Sequence, residues 1–423
     1  MEHPKKTYPD FVAYHFLNAD GELVAMEEDG GRTEDFLKSG LDVDGSSIKG
    51  MARVERSDLR LIPEEDTFTT IKIGDFVHHR FMCHAVTEDG KPHPKDPRGI
   101  FKKLIEKSRS MGFEPYMFSE IEFHVVDAKT GALDKAGYCS LPPEDESYEF
   151  RHELGRLCKE LGIRVRRIHH ENGNGQNEIE LNFAPCMKNA DDSILCMWIM
   201  KLLAAKKGQK IIFSPKPYKN AAGNGLHHHI LLKDIKTGEN VFYNRDFKGD
   251  LNNPADNIHR LSDVCKYAIA GLLKYADDIT AVFAASHETF VRLQPGFEAP
   301  MNKAWDFFNR TVLVRIPTSG LNMTRFEYRG GDLSGSIHMY GAALLAAVLK
   351  GIEDKLPLPA IADFNVEHMA PEELAKRGIH PVPLSFGQCI KVLETSEFLK
   401  ENIGPEMVAH LIERDKDLEK QTS

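Results

Sequence analysis

Cysteine is scarce and scattered: the 423 residues hold seven, with no C-x-x-C pair. An odd, dispersed set excludes a disulfide framework and paired-cysteine zinc sites. It reads instead as reduced thiols of a cytoplasmic protein. No apolar run is long enough to span a membrane, and the longest apolar helix expected, near 337–349, is short and amphipathic. The opening MEHPKKTYPDF has no apolar core of the kind a signal peptide needs. Positive charge is not in excess: the net charge is −10 and the pI about 6.0, which weighs against nucleic acid or an anionic membrane as the main partner. The phosphate-binding G-x-x-x-x-G-K-[ST] loop, the dinucleotide G-x-G-x-x-G fingerprint, the H-E-x-x-H zinc helix and the G-x-S-x-G elbow are all missing. No internal repeat or low-complexity segment is present.

What remains has the makeup of an ordinary globular protein, 41% hydrophobic and 28% charged, with enough length for two domains. Residues 9–90 alternate in the manner of strands, with an Asp-Gly turn at 20–21 and a glycine- and serine-rich stretch at 40–55 expected to be loop. Proline and charge concentrate in KPHPKDPRG, 91–99, which sets the expected division at 1–93 and 94–423. Helices are expected over 97–110, with Pro97 in the first turn, and over 145–161, 189–207, 255–283, 336–353, 371–377, 385–401 and 405–419.

Residues 292–329 interleave arginine with apolar residues, unlike a solvated charge run. In Arg325-Phe326-Glu327-Tyr328-Arg329 a strand would put two guanidinium groups and a carboxylate on one face. A structural ion-pair network is the plain reading. The number of arginines and the PGFEAP loop at 295–300 favour an anionic ligand held by bidentate hydrogen bonds. Upstream, the strand 117–126 puts Glu120, Glu122 and His124 on one face, and 178–183 puts Glu178, Glu180 and Asn182 on one face. Like charges placed side by side call for a cation between them. Glu171 and Glu178 flank a short glycine loop and can converge, and His227 and His229 share a face opposite His228.

These segments resemble a known family, glutamine synthetase of type I. DGSSIKG at 44–50, SEIEF at 119–123, GY at 137–138, HHE…GQNE at 169–178, PKP…GNGLHHH at 215–229, RLQPGFEAP at 292–300, NR…VRIP at 309–317 and RFEYR at 325–329 occur in the family's order, at nearly its spacings. The resemblance covers roughly 10–415. It implies an α+β chain: an N-terminal β-grasp domain and a larger catalytic α/β domain. It implies ATP-dependent ligation of ammonia to the γ-carboxylate of glutamate through γ-glutamyl phosphate, with Mg²⁺ or Mn²⁺ as cofactor, two or more per site.

By the same resemblance, Glu122, Glu171 and Glu178 match the ligands of one metal, and Glu120, His227 and Glu327 those of a second. Arg292 matches the residue that holds the glutamate α-carboxylate, Gly223 a glycine whose backbone meets the substrate, and Arg329 the group near the glutamate side chain and the transferred phosphate. Arg310, Arg315 and Arg325 match the arginines on the ATP phosphates, and His229 a nucleotide contact. Glu298 matches the flap glutamate. Asp44, Ser47, Tyr138 and Glu171 match the ammonium pocket, with Asp44 taking the proton. Partners implied are glutamate, ammonium, ATP and further copies of the chain in a dodecamer of two hexameric rings, each site completed by the neighbour's Asp44–Ser47 loop.

Departures fall at Ala222, where the family usually has asparagine, at Leu231, at Phe308 and at Ser336-Ile337-His338. PVPLSFG at 381–387 holds no tyrosine for adenylylation, and Arg53 matches an arginine of the feedback-inhibited subtype. Two rival readings stand beside the main one. One is a γ-glutamyl ligase for an organic amine such as methylamine or a polyamine. The other is a catalytically inactive structural relative.

Overall fold

The computed structural model describes residues 8–131, 134–250, 253–317 and 319–422; most of the opening MEHPKKTYPDF segment lies outside them. The N-terminal unit is a five-stranded sheet of β1 (Phe11–Leu17), β2 (Leu23–Asp29), β3 (Leu41–Asp44), β4 (Asp58–Ile73) and β5 (Phe76–Val86), in the order β2-β1-β5-β4-β3. β1 runs parallel to β5 and the other pairs are antiparallel. The turn after β1 closes because Asn18 Oδ1 accepts from the Asp20 and Glu22 amides at 3.1 and 2.9 Å. Tyr14, Phe36 and Phe81 fill a core of their own, with Tyr14 stacked on Phe81.

Two features depart from the sequence expectation. Residues 40–55 are not all loop: Leu41–Asp44 pairs with Asp58–Leu61, burying Leu41 and Val43 and leaving Asp42 and Asp44 exposed. The strand is four residues long, and the glycines and serines around it mask its alternation. The helix Thr33–Ser39 was not anticipated, because Gly30-Gly31 precedes it and the segment is short.

Between the units, Asp96 caps the helix Pro97–Ser110 by accepting from the Arg98 amide, and its other oxygen accepts from Ala85 N of β5. Arg98 is 1% exposed and joins Glu64 of β4 at 2.8 Å to Asp191 at 2.9 Å, while His338 reaches Asp191 at 2.8 Å. Burial alone would raise the Asp191 carboxyl, but Arg98 and His338 outweigh it and hold it low. Removing Arg98 would leave Asp191 with His338 and Glu64 with Lys102 and His84, and would break the link between the two acids. Arg98→Ala is therefore expected to cost about 1.5–3 kcal/mol of stability, read as a lowered urea midpoint. A loss under about 1 kcal/mol would mean the joint is wet and the pairing incidental.

The larger unit is built on a nine-stranded sheet. Its members are β6 (Phe113–Asp127), β7 (Val165–His170), β8 (Gln176–Leu181), β9 (Ala184–Pro185), β10 (Gln209–Ile212), β11 (Leu226–Asp234), β12 (Trp305–Phe307), β13 (Val314–Ile316) and β14 (Phe326–Tyr328). The path is β12-β13-β14-β11-β6-β8-β7, with β9 and β10 also paired to β6. Alternation along the strands sends Ile121, Phe123, Ile179, Leu226 and Tyr328 into the main core. There they meet the helices Pro97–Ser110, Cys186–Lys206 and Ile337–Glu353. The opposite face carries the polar set.

The helix expected over 255–283 is instead a 3₁₀ turn and two helices, Asp263–Lys274 and Ala276–Phe283, broken at Tyr275. That over 385–401 divides at Ser396, whose hydroxyl caps Glu397–Ile403 by accepting from Leu399 N at 3.0 Å. Apolar periodicity runs through both breaks and hides them. Among the described residues no helix is long and apolar enough to cross a membrane.

Candidate active site

Register, more than proximity in sequence, assembles the site. Arg315 faces Glu327 across β13/β14, Glu327 faces His229 across β14/β11, and His227 faces Glu120 across β11/β6. Glu120 and Glu122 face Glu180 and Glu178 across β6/β8, and His169 of β7 faces Glu178. One row of charged side chains thus crosses the sheet on its polar face, lining a cavity of about 440 Å³.

Two ligand groupings stand out in that row. Glu120, His227 and Glu327 bring ligand atoms within 4.8 Å of one another, and so do His169, Glu171 and Glu178. Glu122 lies between them, with an oxygen 4.0 Å from His227 Nδ1. Burial pushes the Glu178 carboxyl well above the usual range, and the neighbouring Glu120, Glu122 and Glu171 push it further. Among the described residues its only basic neighbour within ion-pair reach is His169, at 3.9 Å. Burial also raises Glu122, whose one firm donor is Gly225 N at 2.7 Å. His227 Nε2 is buried without a partner. Five carboxylates, one imidazole and mutual repulsion fit hard divalent cations such as Mg²⁺ or Mn²⁺.

Arginines line the other half. Glu327 is fully buried between Arg329 (2.6 Å) and Arg315 (2.5 Å). Burial would raise its carboxyl, but Arg329 above all brings it to about 2. Arg325 has no carboxylate at ion-pair distance among the described residues. Its Nε donates to His229 Nδ1 at 3.1 Å, which leaves Nε2–H of His229 to donate to Glu120 at 2.8 Å. Burial first, then Arg166, lowers Arg325 to about 10. Arg292, on the unanticipated helix His287–Arg292, is 3% exposed and donates to the carbonyls of Gly330 and Arg329. It too lacks an acid at ion-pair distance among the described residues. Two buried guanidinium groups spare for an anion are the sharpest electrostatic feature of the cavity.

Glu298 sits over the site at φ 53°, its carboxylate 3.4 Å from Arg310 and its carbonyl accepting from Arg329 at 3.1 Å. Its loop is also tied by Gly296 N to Glu367 at 2.9 Å and by Phe297 to Lys216, whose Nζ is 3.4 Å from the ring centre. Gly223 has no room for a side chain: a Cβ would lie 2.2 Å from Pro215 O and 3.0 Å from Arg292. Tyr138 is 53% exposed at the mouth, edge-on to His169.

The structure does not bring every expected residue here. Asp44 and Ser47 are exposed on the N-terminal unit, where the Ser46 and Ser47 hydroxyls donate to Asp44, and neither lines the cavity. Leu231 packs in the core, and Phe308 is exposed at φ 64° outside the lining.

Arg166, Arg167 and His169 line the cavity and escaped sequence reasoning, while Glu180, read on the same face as Glu178, lines it as well. A bulge explains the arginines. Val165 faces Leu181 and Arg167 faces Glu180, so Arg166 is an extra residue and both arginines reach Glu180. Strict alternation would have sent them to opposite faces. Asp134, behind the site, accepts from Gly175 N at 2.6 Å and lies 3.2 Å from His170, whose Nδ1 donates to Glu171 O. Asp134, Asp145 and His170 also cluster, but Arg151 and the backbone already engage them, so they brace the Glu171 loop.

Comparison with known proteins gives matches along nearly the whole chain. Residues 9–88 match the family described as glutamine synthetase, beta-Grasp domain, and residues 94–422 the one described as glutamine synthetase, catalytic domain. The glutamine synthetase of Thermotoga maritima is 32% identical over 95% of this chain and 91% of its own. That of Pyrococcus abyssi is 32% identical over 94% and 87%. Among solved structures, the Plasmodium falciparum glutamine synthetase superposes with a TM-score of 0.84 at 23% identity, over 98% of this chain and 93% of its own. A GmaS/ADP complex superposes at 0.85 and 21%, over 98% and 94%. The last two establish likeness of fold.

Proposed function

The chain belongs to the glutamine synthetase family, and from that premise we propose that it ligates ammonia to the γ-carboxylate of glutamate. ATP drives the reaction through γ-glutamyl phosphate, giving glutamine, ADP and phosphate. The observation that carries this reading is the pair of buried arginines with no acid at ion-pair distance among the described residues, Arg292 and Arg325, at the edges of a carboxylate row in one cavity. A cavity rich in both signs suits an anionic substrate, a polyphosphate and the cations that join them.

In this reading Arg292 holds the glutamate α-carboxylate beside the Gly223 backbone. Arg310, Arg315 and Arg325 take the ATP phosphates, with His229 against the nucleotide. Arg329 stabilises charge on the phosphoryl group in flight. Glu122, Glu171 and Glu178, and Glu120, His227 and Glu327, would hold two Mg²⁺ or Mn²⁺ ions. When bound, those ions neutralise the phosphoryl oxygens. Arg292 and Arg329 fix the γ-carboxylate in line for attack on the γ-phosphorus. Glu298 and its loop keep water from the acyl phosphate. Ammonium binds between Tyr138, Glu171 and the Asp44–Ser47 loop of a second copy. Asp44 takes one proton, and the ammonia attacks the carbonyl carbon of the acyl phosphate; a C–N bond forms, the C–O bond to phosphate breaks, and the phosphate leaves with the second proton. The exposure of Asp44 and Ser47 away from their own chain's cavity supports sites shared between copies, as in a dodecamer. The N-terminal unit's own core supports a division at 1–93 and 94–423, with Ile71 and Ile73 of β4 packing into the larger core, and the scattered thiols support a cytoplasmic setting.

Amine choice is the sharpest test. Ammonium needs an acceptor for each N–H, and an alkylamine would face one acceptor with carbon. With phosphate release measured at fixed glutamate and ATP, ammonium is expected to exceed methylamine, ethylamine and putrescine by about two orders of magnitude in kcat/KM. The open position of Tyr138 at the mouth is the one feature that favours a larger amine. Equal use of methylamine or putrescine would make the protein a γ-glutamyl amine ligase. No phosphate release with any amine would leave the inactive-relative reading.

A further inference from the structure

We propose that Arg166 is a fourth phosphate-binding arginine, gripping the polyphosphate of ADP and ATP from the β7 side of the cavity. The inference rests on the nucleotide-dependent reading above and adds a residue to it.

Three observations converge. First, the β7 bulge aims two adjacent arginines at one carboxylate: Arg166 contacts Glu180, and Arg167 lies 3.2 Å from its other oxygen. One negative charge cannot balance both, so the group keeps a net positive charge on the cavity wall. Arg166 keeps 34% of its side chain exposed, against 3% for Glu180; both line the cavity, and the guanidinium is the more accessible of the two.

Second, Arg166 and Arg325 share one aromatic platform. Their guanidinium carbons lie 5.3 and 5.5 Å from the centre of the Phe118 ring, and His229 is stacked on that ring at 4.0 Å. Contact with the ring helps hold each guanidinium in place, and its N–H groups not taken by protein partners such as Glu180 and His229 remain to fork onto oxygens. Arg325 has no acid of its own at ion-pair distance among the described residues.

Third, the two guanidinium groups carry like charge and are held against the same ring, with no carboxylate within ion-pair distance of Arg325 among the described residues. Like charges held together at the edge of a cavity are relieved by a polyanion lying across both. Glu120, Glu178 and Glu180 also approach one another closely enough to hold an ion. Glu180, however, already carries two guanidinium groups, so Arg166 stands as the fixed cation at that corner.

The test is ADP binding by calorimetry on the full-length assembled protein with Mg²⁺ present, alongside KM for ATP and for glutamate. Arg166→Ala is expected to weaken ADP by about ten- to a hundredfold, since a charge-assisted fork is lost. Arg166→Lys should fall between, keeping charge without the fork. AMP, with a single phosphate, should lose far less, and KM should rise for ATP and not for glutamate.

The double variant Arg166→Ala/Glu180→Gln separates a binding role from a neutralising one. If Arg166 grips phosphate, the double variant binds ADP as poorly as Arg166→Ala. If Glu180→Gln restores binding, Arg166 merely covers Glu180 and the proposal falls. Unchanged ADP affinity in folded Arg166→Ala, or equal rises in both KM values, also overturns it. Wild-type protein that binds no ADP would sink the proposed function as well, an outcome distinct from failure of Arg166 alone.

Discussion

Glu178→Ala is expected to lower turnover by about a thousandfold while leaving the fold intact. The neighbours Ile179 and Leu181 supply the packing of β8, and the carboxylate faces the cavity with Glu122, Glu171 and His169. Burial and four surrounding carboxylates already disfavour its charge, so its removal relieves repulsion in the metal-free protein. The variant should therefore unfold at the same temperature as wild type, or a higher one, when Mg²⁺ and Mn²⁺ are chelated. Adding metal should raise the wild-type midpoint and raise that of the variant much less, because only binding to the native state stabilises it. Wild-type turnover at ordinary Mg²⁺, or an undiminished metal-dependent shift, would remove Glu178 from the site.

The second large effect concerns assembly. Asp44→Ala and Arg329→Ala are each expected to cost about two to three orders of magnitude in turnover, since each removes a group acting directly on the reacting atoms. They lie in different units. Arg329 is 2% exposed inside the cavity, whereas Asp44 is on the surface of the small sheet. If a neighbour supplies Asp44, co-assembled mixtures of the two inactive chains hold some sites with both groups intact. With equal, random mixing that share is roughly a quarter, as expected for a head-to-tail ring contact. Recovery toward that level, lost when the mixture is kept from reassembling, is the expected result. Hybrids that stay inactive at every ratio would place Asp44 outside the reaction.

Much of this was legible before any coordinates. Glu120/Glu122, Glu178/Glu180 and His227/His229 share faces because strands alternate, and a period of two is hard to misread where apolar residues mark the other face. The helix Pro97–Ser110 declared itself through Asp96 and Pro97. What escaped notice has physical causes. The bulge that turns Arg166 and Arg167 onto one acid breaks the period on which the reading depended. Ser396 ends one helix and caps the next with no apolar gap. The departure at Ser336-Ile337-His338 carried no structural role in sequence. In the structure it supplies the hydrogen bond from His338 to Asp191 in the joint between the units. Lys216 stood in plain view in PKP, but its contact with Phe297 spans 81 residues of chain, and no local pattern reports it.

The loop carrying Glu298 is fastened at separate places: Lys216 beneath Phe297, Glu367 at Gly296, Arg329 at the Glu298 carbonyl and Arg310 at its carboxylate. A segment tied at one end breathes by degrees. One tied along its length to several different elements must release them together, so opening becomes a single, infrequent step. For the proposed reaction, that separates fidelity from speed. The fraction of acyl phosphate lost to hydrolysis depends on how long the loop stays shut relative to the wait for ammonia, not on how fast the phosphoryl group moves. Loosening a tether far from the phosphates, such as Glu367, would then show as ATP consumed without amide formed, with the phosphoryl transfer step itself untouched.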